Sequence, residues 1–186
     1  MTEDQKKQLL TVARNAVTAA VSGKKPARVS SDDAELNAHC GCFVTLKNRG
    51  ELRGCIGQFI SDRPLIELVN DMAVAATTGD ARFFADRITP REVKELDIEI
   101  SVLSPLKKTD DPLNLRLGID GIYIKKGYAS GCFLPQVATE TGWSREEFLS
   151  YCCAHKAGLK SDAWKDKNTE VYLFTADIIE EENKPL

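Results

Sequence analysis

The chain has 186 residues, 42% hydrophobic and 28% charged, with six cysteines and a formal net charge of -3. A chain of this length buries roughly 70% of its unfolded surface around one core, and a mean hydropathy of -0.27 with few Gly and Pro excludes a disordered or collagen-like chain. No apolar run approaches the roughly 20 residues of a membrane span, and a pI near 5.5 argues against nucleic-acid binding driven by phosphate neutralisation.

The start, MTEDQKKQLL, is polar and acidic rather than a secretory signal, so a cytoplasmic location with reduced thiols is expected. Thr2 and Gln5 form a capping box for a first helix, with Leu9, Ala13, Ala16, Val17 and Ala20 as its apolar stripe and Gly23 and Pro26 beyond its end. Residues 27–39 read as loop. Residues 42–57 then read as a hairpin. A three-residue loop, Asn48-Arg49-Gly50, pairs Lys47 with Glu51, Leu46 with Leu52, Thr45 with Arg53 and Phe43 with Cys55. Val44, Leu46, Leu52 and Ile56 share the core face in that register, as does Cys42.

Pro64 opens a second helix whose buried face is Leu65, Leu68, Val69, Met72, Ala73 and Ala76, ended by Gly79. Thr89 and Glu92 cap a short helix. Residues 96–103 alternate as a half-buried strand, with Ile98, Ile100 and Val102 inside and Asp97, Glu99 and Ser101 outside. Residues 104–116 read as a loop and the best place for a lobe boundary. Residues 118–135 read as strands with turns at Asp120-Gly121 and Lys126-Gly127. Ser144 and Glu147 cap a helix that turns Phe148, Leu149 and Cys152 inward and ends at Gly158. Residues 171–178 form a central strand, and Glu180-Glu181-Glu182 a solvated tail. Helices and strands without regular β-α-β alternation indicate an α+β fold on a mixed, largely antiparallel sheet.

The sharpest chemical feature is Leu52-Arg53-Gly54-Cys55-Ile56-Gly57. Strand alternation puts Arg53 and Cys55 on one face, their Cα atoms about 6.6 Å apart. A guanidinium beside a thiol favours the reactive thiolate, and Gly54 and Gly57 allow close approach of a ligand or another backbone. A nucleophile, a thiolate ligand and a redox thiol all fit; so does a small packing hydrophobe, the commoner use of a lone cysteine. Asp80 and Arg82 fit either a surface ion pair or an anion-binding arginine beside the aromatic Phe83. Gln136 fits an amide ligand contact or packing at a helix start. His39-Cys40-Gly41-Cys42 lacks zinc-ligand spacing, so no metal set is assigned. Phosphate-cradling glycine motifs and H-E-x-x-H are absent.

LRGCIG at 52–57 resembles the signature hexapeptide of the AMMECR-type domain, the A component of the AmmeMemoRadiSam system. FVTL at 43–46, DARF at 80–83, LDIEISVLSPLKK at 96–108, residues 118–143 and HKAGL at 155–159 resemble further family segments in order. Ala81 and Phe84 stand where the family carries proline. The resemblance implies a single AMMECR-type domain over 1–186, α+β, with a larger and a smaller lobe. It implies a Memo-like protein and a radical S-adenosylmethionine protein as partners, and brings no established reaction or cofactor. One expectation is an enzyme or enzyme component. Cys55 and Arg53 would be catalytic there, and Gly54, Gly57, Asp80, Arg82, Phe83 and Gln136 would meet the substrate. The other is a non-enzymatic partner-binding module.

Overall fold

In the computed structural model, which describes residues 1–181, Thr2 and Gln5 exchange side-chain and backbone hydrogen bonds and so open α1 (Glu3–Val21) as expected. The chain divides into two units. One is Met1–Leu103 with the stretch from Asp177 onward; the other is Ser104–Ala176.

In the first unit, three antiparallel strands lie in the order β2-β1-β3: β1 (Cys42–Asn48), β2 (Glu51–Gln58) and β3 (Leu96–Leu103). Val44 and Leu46 of β1 and Ile98 and Ile100 of β3 are buried on one face. They meet Leu9, Val12, Ala13, Ala16 and Val17 of α1, the expected stripe with Val12 in place of the half-buried Ala20, and Leu65, Leu68, Val69, Met72, Ala73 and Ala76 of α2 (Leu65–Thr78). Each such Leu or Ile contributes about 1.5–3 kcal/mol on leaving water. Cys42 belongs to this core.

The second unit has β4 (Lys107–Thr109), β5 (Asp120–Lys126) and β6 (Ala129–Phe133), then α3 (Pro135–Thr141) and α4 (Arg145–Tyr151). β7 (Glu170–Glu180) starts in this unit, where it pairs antiparallel with both β4 and β5, the central position expected for it. β6 pairs with the other side of β5. Ser144 and Glu147 make the expected capping box, and α4 runs into a π-helical turn, Cys152–Lys156, with Gly158 in the left-handed region just beyond. Phe148, Leu149, Cys152, Ile122, Ile124 and Phe133 form the core. The architecture is α+β with antiparallel pairing.

Several expectations are corrected. The β1–β2 loop has two residues, Arg49 (φ 53°) and Gly50 (φ 82°), so Asn48 faces Glu51 and Lys47 faces Leu52. A bulge at Arg53 then resets the ladder, placing Gly54 opposite Leu46, Cys55 opposite Thr45 and Gly57 opposite Phe43. Leu52, ahead of the bulge, is 37% exposed rather than in the core. On β3, Ser101 is buried and Val102 only half-buried, the reverse of the expected alternation at the C-terminal end of the strand. Thr89 and Glu92 do bond, but they precede only a single 3-10 turn, Glu92–Lys94. The 104–116 loop holds β4 and a 3-10 turn, Pro112–Asn114. Asp120-Gly121 is strand, not turn; the buried Asp120 carboxylate accepts three hydrogen bonds from Arg116. Glu181 is not a free tail residue. It pairs with Arg14, which also donates to the carbonyls of Val93 and Leu96 at 2.6 Å. Glu182 lies outside the described residues.

Candidate functional site

β2 is the outer strand of its sheet, so one side of its backbone has no strand neighbour. At Cys55 that side is covered by side chains. α2 ends at Gly79, and Asp80 starts a 3-10 turn, Ala81–Phe83, by accepting the Arg82 backbone N–H. Asp80 also accepts the Cys55 N–H at 3.0 Å, and Arg82 Nη2 donates to the Cys55 carbonyl at 3.3 Å. The two side chains lock together, Nε to Oδ1 at 2.9 Å and Nη2 to Oδ2 at 2.6 Å. They occupy the donor and acceptor that an adjacent strand would use. Asp80 is only 5% exposed. Arg82 holds the Asp80 carboxyl down at about 2 against the opposing effect of burial, with the Cys55 and Arg82 N–H groups adding. In return Asp80 raises the Arg82 pKa, against the opposing effect of burial.

The glycines serve packing. A Cβ on Gly54 would collide with the carbonyl oxygen of Ala76 in α2, and one on Gly57 with the Phe43 ring and the Cys42 carbonyl. Gly54 therefore lets α2 sit directly on β2, and Cys55 turns to the opposite face.

On that face the register aligns Cys55, Thr45 and Glu99 in one row across three strands. The Thr45 hydroxyl donates to Cys55 Sγ at 3.3 Å and is 8% exposed overall, while Cys55 is half-buried. Glu99 accepts from Lys47 Nζ at 2.9 Å. Thr45, Lys47 and Glu99 are the residues that sequence reasoning missed. In the expected register Phe43, not Thr45, faced Cys55; reading the bulge at Arg53 would have found them.

Arg53 goes elsewhere. Its guanidinium donates to Asp86 at 2.5 Å and lies 3.2 Å from Glu92, lining a polar depression of about 580 Å³ with Asn48, Arg49, Glu51 and Glu95. Asp86 chiefly raises its pKa, against burial. The guanidinium that reaches residue 55 is Arg82's. Phe83 lies beneath Arg82, ring centroid 5.5 Å from Cζ. Gln136 is on the first turn of α3, in the second unit. His39 and His155 are exposed, and His155 stacks on Tyr151 at 5.6 Å. Among the described residues, no three His, Cys, Asp or Glu side chains converge to hold a metal ion, and no helix is long and apolar enough to cross a membrane.

The chain is an α+β protein whose outer strand β2 carries a half-buried thiol and an edge covered by side chains. The AMMECR1 family model matches residues 10–179, and the chain belongs to that family. A protein of Methanothermobacter thermautotrophicus is 40% identical over 98% of this chain and 97% of its own length. One of Thermococcus kodakarensis is 41% identical over 94% and 89%. The crystal structure of an uncharacterized protein of Pyrococcus horikoshii superposes with a TM-score of 0.88 at 36% identity, covering 100% of this chain and 99% of that one. The family's function is not established.

Proposed function

We propose that the protein is a thiol-dependent enzyme, or the thiol-bearing component of one, with Cys55 as nucleophile or thiolate ligand. The observation that carries this is the Thr45 hydroxyl aimed at Cys55 Sγ at 3.3 Å on a half-buried strand face. An O–H held against sulfur stabilises negative charge there without reorganising when reaction begins. The Asp80–Arg82 lock fixes the backbone of residue 55, which is the preorganisation a reacting group needs. Glu99, roughly two strand spacings or about 10 Å along the row, supplies a carboxylate on the far side of Thr45. In this reading the protein works in the cytoplasm with the Memo-like and radical S-adenosylmethionine proteins that its motifs imply.

Brief iodoacetamide treatment of the folded protein, followed by peptide mass mapping, tests it. Cys55 is expected to be modified well ahead of the buried Cys42, Cys152 and Cys153, and Thr45→Val to slow Cys55 by about fivefold, the worth of one hydrogen bond. A Cys55 as inert as Cys42 removes the thiol reading. A Cys55→Ala protein that still co-purifies with its partners and supports their activity favours the binding module.

A further inference from the structure

We propose that the molecule on which Cys55 acts carries a carboxylate, bound by the outward nitrogen of Arg82; this deepens the thiol reading and rests on it. The argument starts from how the guanidinium is used up. Nε and one N–H of Nη2 go to Asp80, and Nη2 also donates to the Cys55 carbonyl. Nη1, with two N–H groups, has no acceptor among the described residues, and the side chain is 57% exposed. Three bonds thus fix a planar donor next to the thiol-bearing residue with one edge left facing out. Asp80 cannot turn to serve it, because Oδ1 already accepts two bonds from Arg82 and Oδ2 accepts from Arg82 and Cys55.

Arg53 shows the contrast. Its guanidinium is divided between Asp86 and Glu92 and its side chain is only 12% exposed, as a purely structural arginine would be. Later in the same loop, the exposed Arg87 has no carboxylate partner among the described residues and lies over Phe84, 5.6 Å from the ring centroid. Arg82 over the Phe83 ring, with one edge unfilled, suits a small ligand with an anionic end and an apolar body. A carboxylate on Nη1 is held by the same guanidinium that Nη2 ties to the Cys55 carbonyl.

Two alkylating agents that differ in charge test this. In both, Cys55 sulfur forms a bond to the methylene carbon, the carbon–iodine bond breaks, iodide leaves with the electron pair and the thiol proton passes to buffer. The rate ratio of iodoacetate to iodoacetamide is measured for Cys55 and for glutathione under the same conditions. The ratio at Cys55 is expected to exceed that of glutathione by about tenfold, one charge-assisted hydrogen bond's worth. Acetate should protect Cys55 from iodoacetate, Arg82→Gln should abolish the excess, and Arg82→Lys should retain part of it. Should Arg82→Gln fail to fold, the wild-type ratio and the acetate protection still decide. A ratio equal to glutathione's, with Cys55 still reactive to iodoacetamide, overturns the carboxylate assignment and leaves the thiol reading standing. Protection by inorganic phosphate where acetate gives none overturns it in favour of a phosphate group. A Cys55 inert to both reagents removes the thiol reading and this inference with it.

Discussion

Each unit contains a hairpin whose outer strand carries a Gly-Cys pair: Gly54-Cys55 on β2 and Gly131-Cys132 on β6. In both, the glycine is where another backbone presses in, the Ala76 carbonyl on Gly54 and the Ala157 nitrogen on Gly131. The surroundings of the sulfur differ. Cys55 receives the Thr45 hydroxyl and has Arg82 on its backbone, whereas Cys132 lies close enough to the buried Cys152 to help burial raise that thiol's pKa. The comparison separates two jobs that a glycine-cysteine motif combines. The glycine answers a packing demand found twice, while the chemistry depends on what the opposite strand and the neighbouring turn place around the thiol.

The largest expected effect tests the shared half. Gly54→Ala and Gly131→Ala each force a methyl group into backbone atoms that no side-chain rotation can clear. Each should cost about 3 kcal/mol, the upper end for overpacking, read as a lower urea midpoint at unchanged slope. A Gly54→Ala protein as stable as wild type would show that α2 retreats easily, and the packing account of the hexapeptide would fail.

The half peculiar to β2 is broken at Asp80. Asp80→Asn removes the charge that holds Arg82 and the Cys55 N–H and should cost about 2 kcal/mol near neutral pH. The sign of the pH dependence follows from a carboxyl depressed to about 2 in the folded protein against roughly 3.9 unfolded. Its stabilisation is complete above the unfolded value and disappears as pH falls through 2. The gap in stability between wild type and Asp80→Asn should therefore narrow between about pH 5 and pH 2. A gap independent of pH would mean that Asp80 acts by shape alone.

The contrast also explains what the sequence could disclose. The capping boxes of α1 and α4, the apolar faces of α1 and α2 and the central place of β7 follow from local spacing, because each is decided within one element. The hairpin register depends on two competing local solutions. Asn48-Arg49-Gly50 fits a three-residue loop with glycine left-handed, and only the left-handed Arg49 with the bulge at Arg53 shows that the other was taken. That single displacement exposed Leu52, turned Arg53 toward Asp86 and brought Thr45 opposite Cys55. The cover of the β2 edge was illegible for a different reason. Asp80 and Arg82 looked like an ordinary ion pair, and nothing local says that their free atoms land on residue 55, 25 residues earlier for Asp80.

The two hairpin turns allow a last and smaller test. In β5–β6 the left-handed position falls to Gly127 (φ 60°), followed by Tyr128 in the ordinary region, whereas β1–β2 requires Arg49 itself to adopt φ 53° before Gly50. A non-glycine side chain in that region costs about 1–2 kcal/mol, and asparagine tolerates it better, which is why Asn-Gly dominates turns with both central residues left-handed. Arg49→Asn gives up an ion pair to Glu95 that is exposed at both ends, an interaction worth at most about 1 kcal/mol and often nothing measurable. The relief of strain should therefore prevail, and Arg49→Asn should stabilise the protein by roughly 0.5 kcal/mol. Tyr128→Asn in the other turn, where no left-handed side chain has to be accommodated, should give no such gain. Equal shifts in melting temperature for the two variants would mean that the first hairpin carries no strain at Arg49, and the reason given for its register would have to be sought in the bulge alone.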